Sequence, residues 1–233
     1  RFSFKPESNS ISFKGLSSSY DTTDLFSSLQ NQSASNSICA SVLPARTAVL
    51  IDFCVPNIEQ TLNKLRANGH FFINQSSASN YIDSLNKKYN FNLGKLMTSW
   101  NKKEIALAIT EPGSMDLVNN TYALIRTENT GDAIQSLEKI QMAVGKNKGN
   151  EKYRSHTISN FSLNSIVPLF YGNIFIDIEQ SYYTTVRDFV VFANNPSILK
   201  SLIDDFEDKK LLENESDFIS HKNNSILNGQ LNV

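Results

Sequence analysis

Cysteine, histidine and tryptophan are scarce in this 233-residue chain, which holds two, three and one of them respectively. The two cysteines, Cys39 and Cys54, are too few for a disulfide framework or for a metal cage built from cysteines. Both lie in apolar, strand-like runs, so we expect two buried free thiols, with a single disulfide as the alternative. His70, His156 and His221 are scattered, and none has a cysteine or carboxylate at ligand spacing. The sequence therefore predicts no metal site.

The net charge is also small, and long apolar runs are absent from the sequence. The chain has 22 basic and 23 acidic residues, which leave a formal charge of -1. The pairs Lys102-Lys103 and Lys209-Lys210 are isolated, so no basic surface is predicted that would gather nucleic acid. No apolar run approaches the roughly 20 residues that cross a bilayer, so we expect no transmembrane segment in this chain. The chain begins at Arg1 without a leader pattern, which we interpret as an internal piece of a longer protein.

Motifs that carry catalysis are missing. There is no Gly-x-Ser-x-Gly elbow, and residues 145–150 (GKNKGN) lack the spacing and the preceding strand of a phosphate loop. The acidic residues Asp204, Asp205, Glu207 and Asp208 flank an apolar helical stripe, which predicts a solvated face. A Ser/His/Asp triad stays open only because each residue type is present. We therefore assign no catalytic, cofactor-binding or metal-ligating residue and expect no cofactor.

A strand, a short polar link and an amphipathic helix occur together three times along the chain. The strands have about six residues, and links of two to four residues are a common length for such connections. Apolar residues then recur at helical spacing and form one stripe in each unit. The units lie at residues 47–69, 121–145 and 188–210, and their helices are predicted at 57–68, 131–144 and 196–208.

Other strands follow one another without helices between them. They are predicted as a hairpin at 1–16 and as strands within 103–110, 153–163 and 173–193. A weaker helical pattern covers 78–99. Consecutive strands favour an antiparallel sheet over a doubly wound parallel one. We predict an α+β fold, with a mostly antiparallel sheet and helices packed on one face. It forms one domain over 1–233, with a subdivision into 1–100 and 101–233 as the alternative.

The last residues of the chain alternate in polarity. Leu231 and Val233 are apolar and flank Asn232, and Asn-Gly turn chemistry lies shortly before them. This pattern predicts a strand rather than a frayed tail, and we expect the strand to continue in a longer protein.

Six segments share an order that is known from one family. They are ISFKGLSS (11–18), LFSSLQNQSAS (25–35), VLPARTAVLIDF (42–53), SWNKKEIALAI (99–109), DFVVFANNPSILKSLIDDF (188–206) and KLLENESDF (210–218). In this order they resemble a bacterial exported-protein family classed as domain of unknown function 3352. The proline that the family pattern expects in the second segment is absent here.

The resemblance implies a protein of the bacterial cell envelope, often a lipoprotein or a chain with one N-terminal helix, of which this chain is similar to the second half. It supplies no catalytic residue. Trp100 is then expected to be a large buried anchor before a strand, and Glu104 a charge at the strand start.

The function predicted is a non-enzymatic scaffold or interaction domain with a protein or envelope partner. Its expected location is the periplasm or the outer membrane, by resemblance alone. One alternative is a binding protein for a small apolar or lipidic ligand, which would need a large apolar pocket. The further alternative is a hydrolase.

Overall fold

The computed structural model describes residues 2–6, 11–15, 36–67, 75–111, 116–144, 149–161, 163–180, 182–224 and 231–232. A two-stranded hairpin comes first, with β1 (Phe2–Pro6) antiparallel to β2 (Ile11–Gly15). This confirms the hairpin predicted at 1–16.

The main sheet has eight strands within the described residues. They are β3 (Thr47–Cys54), β4 (Asn101–Thr110), β5 (Thr121–Thr127), β6 (Asn150–Tyr153), β7 (His156–Asn160), β8 (Tyr182–Val186), β9 (Phe189–Ala193) and β10 (Leu231–Asn232). Their order across the sheet is β10-β3-β4-β5-β9-β8-β7-β6, and every neighbouring pair is antiparallel. The predicted α+β class with an antiparallel sheet is confirmed. The strand predicted near the end of the chain is confirmed for Leu231 and Asn232, which pair with β3.

The described helices are α1 (Ile58–Ala67), α2 (Gln75–Tyr89), α3 (Leu93–Thr98), α4 (Thr130–Val144), α5 (Ile166–Tyr171), α6 (Pro196–Glu207) and α7 (Ser216–Asn224). Within the same residues, four short 3-10 helices cover Cys39–Ser41, Val118–Asn120, Asn173–Phe175 and Leu212–Asn214. The three predicted helices correspond to α1, α4 and α6. None of the helices described is both long and apolar enough to cross a membrane.

The start of α6 follows from local chemistry. Pro196 occupies the first turn, where a missing N–H costs no hydrogen bond. The side chain of Asn195 accepts a hydrogen bond of 3.1 Å from the backbone N–H of Ile198 and so caps the helix.

Both faces of the main sheet are covered, each by different helices. One face, which we call the five-helix face, carries β-strand residues such as Ile105 and Phe192 and packs against α1 to α5. The other, the α6 face, carries residues such as Val191 and packs against α6 and the Cys39–Ser41 turn. The prediction that the helices share one face is therefore wrong for α6. Because all five residues of β9 (FVVFA) are apolar and buried, that strand needs cover on both sides.

The prediction of strands throughout 173–193 is also wrong in its first part. Residues Asn173–Phe175 form a 3-10 helix, and the strand pattern is described only from Tyr182 onward. Phe175 and Ile178 are both fully buried at a spacing of three residues, which suits a helical turn and not an alternating strand.

The hydroxyl group of Tyr171 in α5 provides a test of the packing between α5, α3 and β4. It lies 2.7 Å from the carbonyl oxygen of Met97 and 2.9 Å from Oδ1 of Asn101. Burial raises the pKa of Tyr171, so the hydroxyl keeps its proton and donates. Tyr171→Phe is expected to lower the free energy of unfolding by about 1–2 kcal/mol, because a buried acceptor loses the one proton that the hydroxyl donates. In denaturant unfolding, the exposed Tyr81→Phe serves as the control and should change little; equal losses in both variants would contradict this role.

Candidate functional site

A group of buried polar side chains lies on the α6 face, where β3 and β4 pair. Asp52 and Cys54 are two residues apart on β3 and so face the same side of the sheet. Glu104 of β4 is the cross-strand partner of Cys54. Cys39 reaches the same place from the 3-10 turn that covers this face. Each of these four residues is at most 1% exposed, and we call them the thiol–carboxylate cluster.

Glu104 holds residues 37–39 against the sheet through hydrogen bonds. Its Oε1 accepts hydrogen bonds from the backbone N–H of Cys39 (2.8 Å) and of Ile38 (3.0 Å). The Ser37 hydroxyl donates to the same oxygen at 3.1 Å. Arg126 of β5 lies 3.4 Å from Oε2. Glu104 is therefore a buried anchor and not the strand-start charge that the sequence predicted, because charge-assisted bonds to backbone N–H groups can hold a carboxylate inside a protein.

The two thiols lie beside the carboxylates. The Sγ of Cys54 is 3.5 Å from Oδ2 of Asp52. The Sγ of Cys39 is 3.3 Å from the Ser37 hydroxyl. Burial raises the pKa of the Cys39 thiol well above its usual value, and the Asp52 and Glu104 carboxylates raise it further. Both cysteines are buried thiols, which confirms the leading prediction for them, and the raised pKa makes Cys39 a poor nucleophile in this state.

Three atoms of the cluster are close enough to one another to bind a single metal ion. The Sγ of Cys39 and one carboxylate oxygen each of Asp52 and Glu104 lie within 4.8 Å of one another. Sequence spacing could not reveal this group, because its members lie in three separate segments. The available signals were a charged residue inside the apolar run LIDFCV and another at the start of EIALAI.

A surface cavity of about 470 Å³ lies next to the cluster. Its lining includes Ser37, Ile38, Arg187, Asp188, Glu213 and Lys222. Ser37 therefore connects this cavity with the buried groups, because the residue lines the cavity and its hydroxyl bonds to Cys39 and Glu104.

The acidic residues at the end of α6 stay near the surface but are paired. Arg154, in the turn between β6 and β7, contacts Asp204 at 2.7 Å and Asp208 at 3.2 Å. Asp205 pairs with Arg46 at 2.8 Å. These residues therefore fix the hairpin and the chain before β3 onto α6, which a simple solvated face would not do.

Ser155, His156 and Glu207 form a Ser/His/acid group in the same region. Glu207 Oε1 lies 2.6 Å from the Ser155 hydroxyl and 3.2 Å from His156 Nε2. The other ring nitrogen, Nδ1, lies 2.8 Å from the backbone oxygen of Thr185. In a hydrolytic triad the histidine stands between serine and acid. Here the carboxylate stands between them, so this group lacks the geometry of a triad.

Trp100 is a buried residue of the core, and several other candidate residues lie outside the part of the chain that the structure describes. Trp100 is 3% exposed, and its indole N–H donates to the Leu96 carbonyl at 2.9 Å, which confirms the buried anchor. His70, the side chain of His221, and residues 145–148 of the basic loop lie outside the described residues.

Comparison with known proteins gives one family. The chain belongs to the family described as protein of unknown function (DUF3352), whose model matches residues 26–228. This confirms the resemblance seen in the sequence. No curated protein and no solved structure matches the chain. Bacterial origin, export and a longer parent chain stay predictions.

Proposed function

We propose that this chain is a non-catalytic module of the bacterial cell envelope that binds a protein partner, within a longer exported protein. The observation that carries the proposal is that buried and partly buried carboxylates form hydrogen bonds within the fold. Glu104 is occupied by the turn at Ile38–Cys39, and Glu207 by the hairpin residues Ser155 and His156. These two carboxylates are thus committed to holding segments of the fold together.

The aromatic side chains support a filled core over an apolar ligand cavity. The largest fully buried side chains are Tyr122, Tyr171, Phe161, Phe175, Phe189 and Phe192. They pack within the two hydrophobic clusters that cover the faces of the sheet. The many phenylalanines in the sequence had allowed a lipidic ligand as an alternative. Packing in the core accounts for those named here.

The surface we assign to the partner is the outer edge of β6. Within the described residues β6 is the last strand of the main sheet. Its residues Asn150, Glu151 and Lys152 are exposed. An edge strand presents backbone N–H and C=O groups that can pair with an extended segment of another protein.

The register of the β6–β7 hairpin shows which residue offers these groups. Tyr153 pairs with His156 across a two-residue loop, and Lys152 pairs with Thr157. In such a hairpin the pair that flanks the loop is hydrogen-bonded, so the next residue turns its N–H and C=O outward. The backbone of Lys152 therefore faces the open edge.

A cross-linking experiment in cells tests the proposal. A photoreactive residue replaces Asn150 in the full-length protein, and in a second sample it replaces the exposed Lys64 of α1. We expect a discrete protein adduct from position 150 and none from position 64. Adding Lys152→Pro should abolish the adduct, because proline removes one outward N–H, whereas Lys152→Ala should keep it.

An adduct that survives Lys152→Pro would contradict pairing at this edge. Cell fractionation in the same samples tests the location. The full-length protein should sediment with the envelope or appear in the periplasm, and recovery from the cytosol would overturn the envelope assignment.

A further inference from the structure

We propose that the thiol–carboxylate cluster, Cys39, Asp52, Cys54 and Glu104, is a binding site for one thiophilic divalent cation such as zinc. The site would be structural, and it would join the turn at residues 37–41 to β3 and β4. It goes beyond the proposed function, and neither depends on the other.

Three of the four ligand atoms lie together, and the fourth, the Sγ of Cys54, lies beside Asp52. In tetrahedral zinc a sulfur at about 2.3 Å and an oxygen at about 2.0 Å lie roughly 3.5 Å apart. The Cys54 Sγ to Asp52 Oδ2 distance is 3.5 Å, which already has this value. The ligand atoms of Cys39, Asp52 and Glu104 lie within 4.8 Å of one another. Side-chain shifts of about 1 Å would bring these three to coordination distance, and the Cys54 side chain, which is outside that group, would have to turn toward them.

The donor set selects the class of cation. Two thiol sulfurs and two carboxylate oxygens combine soft and hard donors, which suits zinc or cadmium. Calcium and magnesium take oxygen ligands and would gain nothing from the sulfurs of Cys39 and Cys54. The mixed set therefore distinguishes this cluster from an ordinary acidic group.

The charge balance of binding is favourable in a buried place. When the cation binds, the S–H bonds of Cys39 and Cys54 break, two metal–sulfur bonds form, and two protons leave to solvent. A divalent cation that replaces two protons leaves the net charge of the cluster unchanged. The low-dielectric surroundings, which penalise a change in buried charge, thus do not oppose the exchange. The 3.4 Å contact between Arg126 and Glu104 is long enough to yield to the cation.

The burial of the ligands indicates a structural and not a catalytic site. All four residues are at most 1% exposed, and four protein ligands leave no open position for substrate. The cavity that Ser37 lines would be the route by which the cation enters, since the Ser37 hydroxyl bonds to both Cys39 and Glu104.

The test is a titration of the chelator-stripped, reduced protein with cadmium alone, followed by zinc alone. We expect thiolate-to-cadmium absorption that saturates at one equivalent. Zinc should bind at the same stoichiometry with release of about two protons, measured by calorimetry in buffers of different ionisation enthalpy. Bound zinc should raise the Tm, because the cation binds only the folded state.

Variants assign the ligands. Cys39→Ser should weaken zinc binding by on the order of 100-fold or more, the upper range for loss of a supporting group around a metal. Cys54→Ser should weaken binding and remove about half of the cadmium absorption. His156→Ala removes a partly buried histidine beside Glu207, outside the cluster, and should leave the zinc affinity and the cadmium absorption unchanged.

Three results would overturn the site. They are no absorption at one equivalent in folded protein, unchanged affinity in folded Cys39→Ser, and loss of binding in His156→Ala. If circular dichroism shows that Cys39→Ser is unfolded, Asp52→Asn decides instead. It keeps both thiols and removes one ligand charge, so unchanged zinc affinity in that variant also rules the site out.

Discussion

Glu104→Ala is expected to lower the free energy of unfolding by about 3–5 kcal/mol, the usual cost of removing one member of a buried, hydrogen-bonded ion pair. Glu104 is fully buried, and the backbone N–H groups of Ile38 and Cys39 both donate to it. The alanine side chain accepts no hydrogen bond, so these donors stay in the interior without a partner. Arg126 also loses its carboxylate.

Urea unfolding in the presence of a chelator measures this loss without any contribution from a bound cation. Glu104→Gln keeps the shape and one carbonyl acceptor, so it should lose less than Glu104→Ala. Glu151→Ala is the matched control, because Glu151 is an exposed partner of Lys200, and it should stay within about 0.5 kcal/mol of the wild type. A loss below about 1 kcal/mol in Glu104→Ala would mean that the turn at Ile38–Cys39 is held by other contacts.

Local patterns predicted much of the fold. The bounds of α1, α4 and α6 lie within one residue of their predictions, because each helix combines an apolar stripe with a clear break in the pattern. The antiparallel sheet followed from consecutive strands without helices between them. The side of the sheet on which each helix packs did not follow, since an apolar strand such as β9 shows that both faces are buried but not which helix covers either.

The candidate site could not be predicted, because it depends on contacts between distant segments. Glu104 binds a turn 66 residues earlier through the N–H of Ile38. Arg154 meets Asp208 across 54 residues of sequence. Spacing rules detect ligands and pairs within one helix or loop, and neither group has that form. The local signals were two charged residues beside apolar runs, Asp52 within LIDFCV and Glu104 at the start of EIALAI.

Leu202→Ala is expected to lower the free energy of unfolding by about 2–5 kcal/mol, the range for truncation of a core leucine. Leu202 lies in the middle of α6 and is fully buried, together with Leu199 and Ile203, in the cluster that covers the α6 face. That cluster also contains Val191 of the central strand β9. Alanine would leave a cavity at this contact, and the surrounding side chains could fill it only in part.

Met142→Ala is the control for this substitution. Met142 is an apolar residue on α4 that is 71% exposed, so its truncation removes a similar number of atoms without opening a cavity. We expect a change within about 0.5 kcal/mol, as for other surface substitutions. Both variants should unfold in urea with the wild-type m-value, because a lower midpoint at constant m reports stability alone. A loss below about 1 kcal/mol in Leu202→Ala would instead indicate that the apolar stripe of α6 contributes little to the core and is available for docking.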